Sequence, residues 1–134
     1  MSKENVAVVR GIYEAFAAGD VAAVVGALHP EIVWNEAEGG PLAKGNPYVG
    51  PEAVVAGIFA PCATDWEGFS VTPEEFLDAG DTVVALGRYG GTFKATGLAH
   101  NTQMAHVWRI AGGKVVRFQQ YADTRQLARV MGEA

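Results

Sequence analysis

The chain has 134 residues, of which 49% are hydrophobic and 19% charged, a composition typical of one globular domain over 1–134 that excludes a long disordered region. Its formal net charge of −5 argues against a nucleic-acid partner, because binding to phosphate backbones needs clustered lysine and arginine. The first residues, MSKENVAVVRG, do not have the apolar core typical of a signal peptide, and no apolar run is long enough to span a bilayer, so we expect a cytoplasmic protein with no membrane partner.

The first third of the chain predicts two helices and a strand. Apolar residues recur at helical spacing over residues 3–18, which indicates an amphipathic helix. Asp20 is a suitable N-cap for a second, short helix that ends at Pro30. Residues 32–36 are β-prone, and strand alternation places Trp34 and Glu36 on the same face.

A third helix and a series of long strands follow. Pro51 at the first helical position starts the helix, and Pro61 ends it. The pair Gly90-Gly91 predicts a bulge or bend that curls the sheet. The strands, separated by glycine-containing turns, are expected near 69–78, 82–94, 102–110 and 115–122.

The closing segment and the order of elements complete the fold prediction. Asp123 and Gln126 match a capping box for a last helix. Helices followed by an antiparallel meander predict an α+β fold, with N-terminal helices packed on the concave face of a curved antiparallel β-sheet. Such a sheet encloses space, so we expect a pocket for a small apolar molecule.

Several short motifs are spread along nearly the whole chain. They are Gly19-Asp20-Val21, Leu28-His29-Pro30, Ile32-Val33-Trp34, Gly50-Pro51-Glu52, Gly80-Asp81-Thr82-Val83-Val84 and Gly112-Gly113-Lys114-Val115-Val116. In this order they resemble the motifs of SnoaL-like and ketosteroid-isomerase-like proteins of the nuclear-transport-factor-2-like superfamily. The resemblance implies their fold, a cone-shaped barrel. That fold hosts isomerases, cyclases, hydrolases, dehydratases and non-catalytic binders, so it does not select an activity.

The resemblance to ketosteroid isomerases implies a role for Glu36. In that family the general base is an aspartate at the end of the first strand, and ungapped counting places Glu36 there. The family's oxyanion donors, a tyrosine and a protonated aspartic acid, align with Ile12 and Ala105. Tyr13 is one residue off, which on a helix turns it away from Ile12. The comparison therefore implies a carboxylate base without the usual oxyanion donors.

The resemblance to SnoaL-like polyketide cyclases implies catalytic roles for Asp123, just before the last helix, and for His106 on the neighbouring strand. Each candidate has a structural alternative. Asp123 could simply cap the last helix, Glu36 could begin a solvent-facing polar loop, and His106 could be satisfied inside an apolar core. A histidine that titrates near neutral pH would instead suit a proton shuttle. His100 is expected in a loop at the pocket mouth or on the surface.

Four further side chains are candidates for substrate binding: Trp34, Arg88, Phe118 and Tyr121. An arginine that faces the cavity would bind a carboxylate or stabilise an oxyanion, whereas one that faces outward would pair across a subunit interface. Tyr121 has the same ambiguity. Apolar residues on both faces of the last two strands predict a homodimer through the sheet.

Together these features predict an enzyme that moves a proton next to a carbonyl group, as an isomerase, cyclase or dehydratase does. Glu36 is the expected base, assisted by His106, Asp123 or Tyr121. A single cysteine and the lack of metal-ligand spacing predict no metal and no cofactor. Three alternatives stay open: a non-catalytic binder of a hydrophobic metabolite, a protein-interaction module, and an epoxide-hydrolase-like enzyme using Glu36, Asp123 and Arg88.

Overall fold

The computed structural model of the chain describes residues 2–133. The helices are α1 (Ser2–Ala17), α2 (Val21–Gly26), α3 (Pro51–Val54), α4 (Ala60–Thr64) and α5 (Thr124–Val130). The strands are β1 (Leu28–Asn35), β2 (Tyr48–Val49), β3 (Trp66–Ala79), β4 (Thr82–Phe93), β5 (Ala99–Ala111) and β6 (Lys114–Ala122). A short 3-10 helix covers Pro41–Gly45, and the π-helical segment Val55–Phe59 joins α3 to α4.

All six strands form one curved sheet in the order β2-β1-β6-β5-β4-β3. Strands β3 to β6 pair antiparallel with their sequence neighbours, which confirms the predicted meander and the α+β class. Strand β1 runs parallel to β6 and antiparallel to β2. The parallel pairing joins the start of the chain to its last strand, so local sequence patterns do not show it.

Irregularities in β3 bend the sheet. The register shifts between residues 67 and 70, opposite Gly91, where a Cβ would lie 3.0 Å from the Phe69 Cα. The irregularity predicted at the glycine pair is therefore present, although the extra residue belongs to β3. A second shift lies opposite Gly87, where a Cβ would lie 2.1 Å from the Thr72 carbonyl oxygen. Glycine at these positions permits the close approach of the two strands.

The core lies between α1 and the concave face of the sheet. Val9, Ile12 and Tyr13 of α1 are buried, and Val83 and Ala85 of β4 are fully covered. Full burial of a valine or isoleucine side chain in such a core contributes about 1.5–3 kcal/mol. Helix α1 therefore packs across β3 and β4 and covers this part of the sheet. No helix within residues 2–133 is long and apolar enough to cross a membrane.

The second helix is shorter than predicted. Helix α2 ends at Gly26, and residues 28–30 begin β1. Leu28 is buried and pairs with Val115 of β6, so tertiary pairing overrides the local helical pattern. Pro30 is tolerated because the register of β1 shifts between residues 28 and 33, and a proline without an N–H fits such an irregular position.

Candidate functional site

A cavity of about 100 Å³ lies between the helices and the concave face of the sheet. A volume of this size holds several water molecules or a small organic molecule. Its apolar wall is largely aromatic and includes Phe16, Trp34, Phe59, Phe69, Trp108 and Phe118. The polar groups that reach it are few, and they come from Tyr13, Glu36, Cys62, Tyr89, His106 and Gln120.

Glu36 is held at the end of β1 by two kinds of contact. Its backbone N–H donates to Asn46 Oδ1 at 2.9 Å, and Asn46 Nδ2 donates to its carbonyl oxygen at 2.8 Å. Trp34 and Glu36 share a face, so Trp34 Nε1 donates to the carboxyl oxygen Oε2 at 2.8 Å. No group within residues 2–133 donates to the other oxygen, Oε1. The carboxyl group is thus fixed in place with one oxygen free.

The cavity changes the acidity of this carboxyl group. Glu36 is 6% exposed, and burial raises its pKa from 4.5 to about 7, while the hydrogen bond from Trp34 lowers it in part. Burial disfavours the charged form because a low-dielectric surrounding replaces hydration. Both protonation states are therefore populated near neutral pH, which suits a group that accepts and returns a proton.

On the same cavity lies a hydrogen-bonded group that we call the phenol–imidazole array, formed by Tyr13, His106 and Tyr89. The Tyr13 hydroxyl lies 2.6 Å from His106 Nδ1, and the Tyr89 hydroxyl is hydrogen-bonded to His106 Nε2. Trp108 Nε1 donates to the Tyr13 oxygen at 3.0 Å, and Gln120 Nε2 donates to the Tyr89 oxygen at 2.7 Å. The array therefore joins α1 to β4 and β5, and the hydrogen bond from Gln120 links it to β6.

The whole array is uncharged at neutral pH. Burial lowers the pKa of His106 from 6.5 to about 3, so the imidazole stays neutral. His106 therefore does not titrate near neutral pH, as the proton-shuttle alternative would require. Burial raises the pKa of Tyr13, and burial followed by the charge of Glu36 raises that of Tyr89, so both phenols keep their protons.

Two of the four predicted substrate-binding residues line the cavity. Trp34 and Phe118 are both buried and stack with ring centroids 3.8 Å apart. Arg88 and Tyr121 lie on the opposite, convex face, because strand alternation turns their neighbours inward. Arg88 Nε donates to Asn101 Oδ1 at 2.6 Å, and Tyr121 is 58% exposed. Neither side chain reaches the cavity.

Asp123 also lies away from the cavity. Its carboxylate accepts a hydrogen bond from the Gln126 backbone N–H at 3.2 Å and caps α5. This bond lowers the pKa of the exposed Asp123. The structure therefore does not bring Asp123 together with Glu36 and His106. The contacts of Asp123 are those of a helix cap, the structural alternative for this residue.

The prediction for His100 was wrong. This residue lies in β5 and faces inward, with 7% of its surface exposed and its ring 4.7 Å from that of Trp66. Its Nδ1 is paired with Thr102 Oγ1 at 2.7 Å, and burial lowers its pKa. The strand starts earlier than predicted, so a residue expected in a loop became part of the core.

Tyr13, Tyr89 and Gln120 line the cavity but were not predicted as site residues. One signal was available, since Tyr13 interrupts the apolar face of α1 and a buried phenol needs a hydrogen-bond partner. The contact with His106 depends on how α1 crosses the sheet, which no local pattern reveals. Within residues 2–133, no three His, Cys, Asp or Glu side chains are grouped to hold a metal ion.

The chain is similar to a known protein family and to solved structures. A family model described as a SnoaL-like domain matches residues 9–118. An NTF2-like protein from Burkholderia thailandensis is 36% identical, with a TM-score of 0.87 over 92% of this chain and 94% of that chain. No curated protein sequence matches the chain.

Two more distant structures show the same fold. TerC, co-crystallised with polyporic acid, is 24% identical, with a TM-score of 0.84 over 96% of this chain and 98% of its own. A protein of ketosteroid-isomerase-like fold from Catenulispora acidiphila, in complex with trimethylamine, is 20% identical, with a TM-score of 0.77 over 95% and 93%. At these identities the likeness concerns the fold alone.

Proposed function

The chain belongs to the SnoaL-like domain family, and from that premise we propose that it is a cytoplasmic, cofactor-independent enzyme that moves a proton next to a carbonyl group. Its substrate is a small, largely apolar compound. The observation that carries the proposal is the carboxyl group of Glu36. One of its oxygens is free in an apolar cavity, and its pKa is raised to about 7.

In the proposed reaction, ionised Glu36 removes a proton from the carbon beside the carbonyl group. The C–H bond breaks, its electron pair forms the enolate, and Glu36 becomes a neutral carboxylic acid. The acid then returns the proton to the same or another carbon. Desolvation makes the carboxylate a stronger base than it is in water, which lowers the barrier to the first transfer.

The enolate oxygen requires a hydrogen-bond donor in the same cavity. The neutral hydroxyl groups of Tyr13 and Tyr89 are the candidates, because both residues line the cavity and both keep their protons at neutral pH. The neutral imidazole of His106 positions these hydroxyls and does not serve as an acid. These donors stand at positions other than Ile12 and Ala105, the two residues that ungapped counting aligns with the oxyanion donors of ketosteroid isomerases.

Deuterium exchange tests the role of Glu36 without knowledge of the natural substrate. Cyclohexanone, a small apolar ketone, is incubated with the protein in heavy water, and loss of its α-proton signals is followed by NMR. We expect Glu36→Gln to slow the exchange at least about 100-fold, the lower range for loss of a general base. Glu38→Gln, which changes an exposed carboxylate two residues away, is the matched control. Equal exchange by wild type and Glu36→Gln would refute the proposal.

A second candidate function is a non-catalytic binding domain for a hydrophobic metabolite, favoured by the aromatic lining of the cavity. TerC and the Catenulispora protein were each solved with a small organic molecule, which supports a small-molecule occupant here as well. Native mass spectrometry of the freshly purified protein distinguishes the two functions. A metabolite that co-purifies unchanged, with no ketone exchange above background, favours the binder.

An epoxide hydrolase of the kind considered above would need Glu36, Asp123 and Arg88 around one water molecule. Asp123 and Arg88 lie outside the cavity that Glu36 lines, which argues against this alternative.

We also propose a homodimer through the convex face. Leu77 is 42% exposed and Tyr121 is 58% exposed, and Leu77, Val84 and Val107 form one row across three strands. An exposed apolar face of this kind commonly marks an interface. Sedimentation of Val107→Glu should show a monomer where the wild type shows a dimer, and a monomeric wild type would contradict the proposal.

A further inference from the structure

We infer that the phenol–imidazole array presents one phenolic hydrogen-bond donor to the cavity, and that the tautomer of His106 decides whether Tyr13 or Tyr89 supplies it. The inference deepens the proposed function, and it rests on that function only because it takes this cavity to be the ligand site. The array would recognise a single acceptor oxygen of a ketone, an aldehyde or an enolate.

The array holds more hydrogen-bonding protons than its two internal hydrogen bonds use. A neutral imidazole carries one N–H, and each phenol carries one O–H. The two contacts, from Tyr13 to Nδ1 and from Tyr89 to Nε2 of His106, use one proton each. Three protons therefore serve two hydrogen bonds. One proton is always left over, whichever nitrogen is protonated.

The two neighbours of the array, Trp108 and Gln120, both donate hydrogen bonds to the phenol oxygens. Trp108 Nε1 can only donate, so it uses an acceptor site of the Tyr13 oxygen. The amide of Gln120 is oriented by the Ala37 backbone N–H, which donates to Gln120 Oε1 at 3.0 Å, so the NH₂ group faces Tyr89. Neither neighbour can accept the spare proton.

The cavity is the remaining place for the spare proton. Within residues 2–133, neither phenol has any other hydrogen-bond partner. Both tyrosines line the cavity. The spare proton therefore belongs to the tyrosine that accepts the imidazole N–H, and it is available to a ligand.

Two arrangements satisfy this count. With Nδ1 protonated, Tyr13 accepts from His106 and offers its own proton to the cavity, while Tyr89 donates to Nε2. With Nε2 protonated, Tyr89 offers its proton and Tyr13 donates to Nδ1. Full burial of His106 keeps the imidazole neutral, which excludes a third arrangement with both nitrogens protonated.

Removal of one hydroxyl should fix the tautomer. In Tyr13→Phe the hydroxyl group that remains is that of Tyr89, which contacts Nε2 of His106. Leaving a buried N–H without a partner costs more free energy than leaving a buried nitrogen lone pair without one. We therefore expect Nε2 to be protonated in Tyr13→Phe and Nδ1 to be protonated in Tyr89→Phe. The shifts of the two ring nitrogens in NMR of histidine-labelled protein distinguish these states. Tyr48→Phe, which removes a hydroxyl bonded to the Leu42 carbonyl, is the control and should retain the wild-type shifts.

The same tautomer in both single variants would overturn the inference, as would a doubly protonated imidazole at neutral pH. These measurements need neither a substrate nor turnover. A negative tautomer result would therefore refute the inference about the array without affecting the role proposed for Glu36. Conversely, a failure to detect ketone exchange would refute that role without affecting the tautomer result.

Cyclohexanone provides the ligand-side test. The carbonyl stretch of the bound ketone should move to lower frequency in wild type and in each single Phe variant, because one tyrosine always supplies the proton. The shift should be lost in the double variant Tyr13→Phe/Tyr89→Phe. An unshifted carbonyl band in wild type, or a shift that persists in the double variant, contradicts the inference. If the double variant does not fold, the single variants still decide between the two tautomers.

Discussion

Replacing Glu36 with glutamine should stabilise the protein by an amount that grows as pH rises through the window from 4.5 to about 7 and is complete above it. The folded-state pKa of Glu36 is raised from 4.5 to about 7, so the folded protein holds this proton more tightly than the unfolded chain does. Stability therefore falls as pH rises through that window. Below the window the carboxyl group is protonated in both states and carries no penalty. Above it the group is ionised in both states and the penalty is complete.

The magnitude follows from the size of the shift. Each pKa unit corresponds to about 1.4 kcal/mol, so the move from 4.5 to about 7 costs on the order of 3 kcal/mol in alkaline solution. Glutamine has the shape of the neutral acid, and its amide oxygen can still accept the hydrogen bond from Trp34 Nε1. The variant should therefore equal wild type in acid and exceed it by about this amount at about pH 9.

Urea unfolding across this pH range, followed by tryptophan fluorescence, measures the difference. Glu38→Gln removes a neighbouring exposed carboxylate and should follow wild type at every pH. If Glu36→Gln and wild type keep the same difference in unfolding free energy from acid to alkaline solution, the carboxyl group is not destabilised by burial. Glu36 would then not be a base of raised pKa.

Three further substitutions test other parts of the structure. Phe118→Ala removes a ring that is 2% exposed and stacked on Trp34, so urea unfolding should show a loss of about 3–5 kcal/mol. Gly87→Ala places a Cβ 2.1 Å from the Thr72 carbonyl oxygen, and we expect a lower melting temperature and faster amide exchange in β3 and β4. Asp123→Ala removes the cap of α5 and should lower the melting temperature at neutral pH, with unchanged ketone exchange. Because the cap lowers the pKa of Asp123, that difference should shrink as acid protonates the carboxylate.

Features governed by local patterns could be predicted from the sequence. The helical period of residues 3–18 identified α1, and β-prone segments between glycine turns identified the meander. Alternation placed Trp34 and Glu36 on one face, and the structure shows the hydrogen bond between them. These predictions depend on neighbours within a few residues, whose relative positions follow from the geometry of a helix or a strand.

The tertiary structure alone decided the composition of the site. Tyr13 and His106 are separated by 93 positions along the chain, yet their hydrogen bond depends on how α1 crosses the sheet. Consecutive residues of a strand, such as Arg88 and Tyr89, must face opposite sides of the sheet, but only packing against the helices determined that Tyr89 faces inward. The raised pKa of Glu36 likewise results from burial by segments that are distant in sequence. A period of two or 3.6 residues relates side chains within one element, and the contacts between elements arise only on folding.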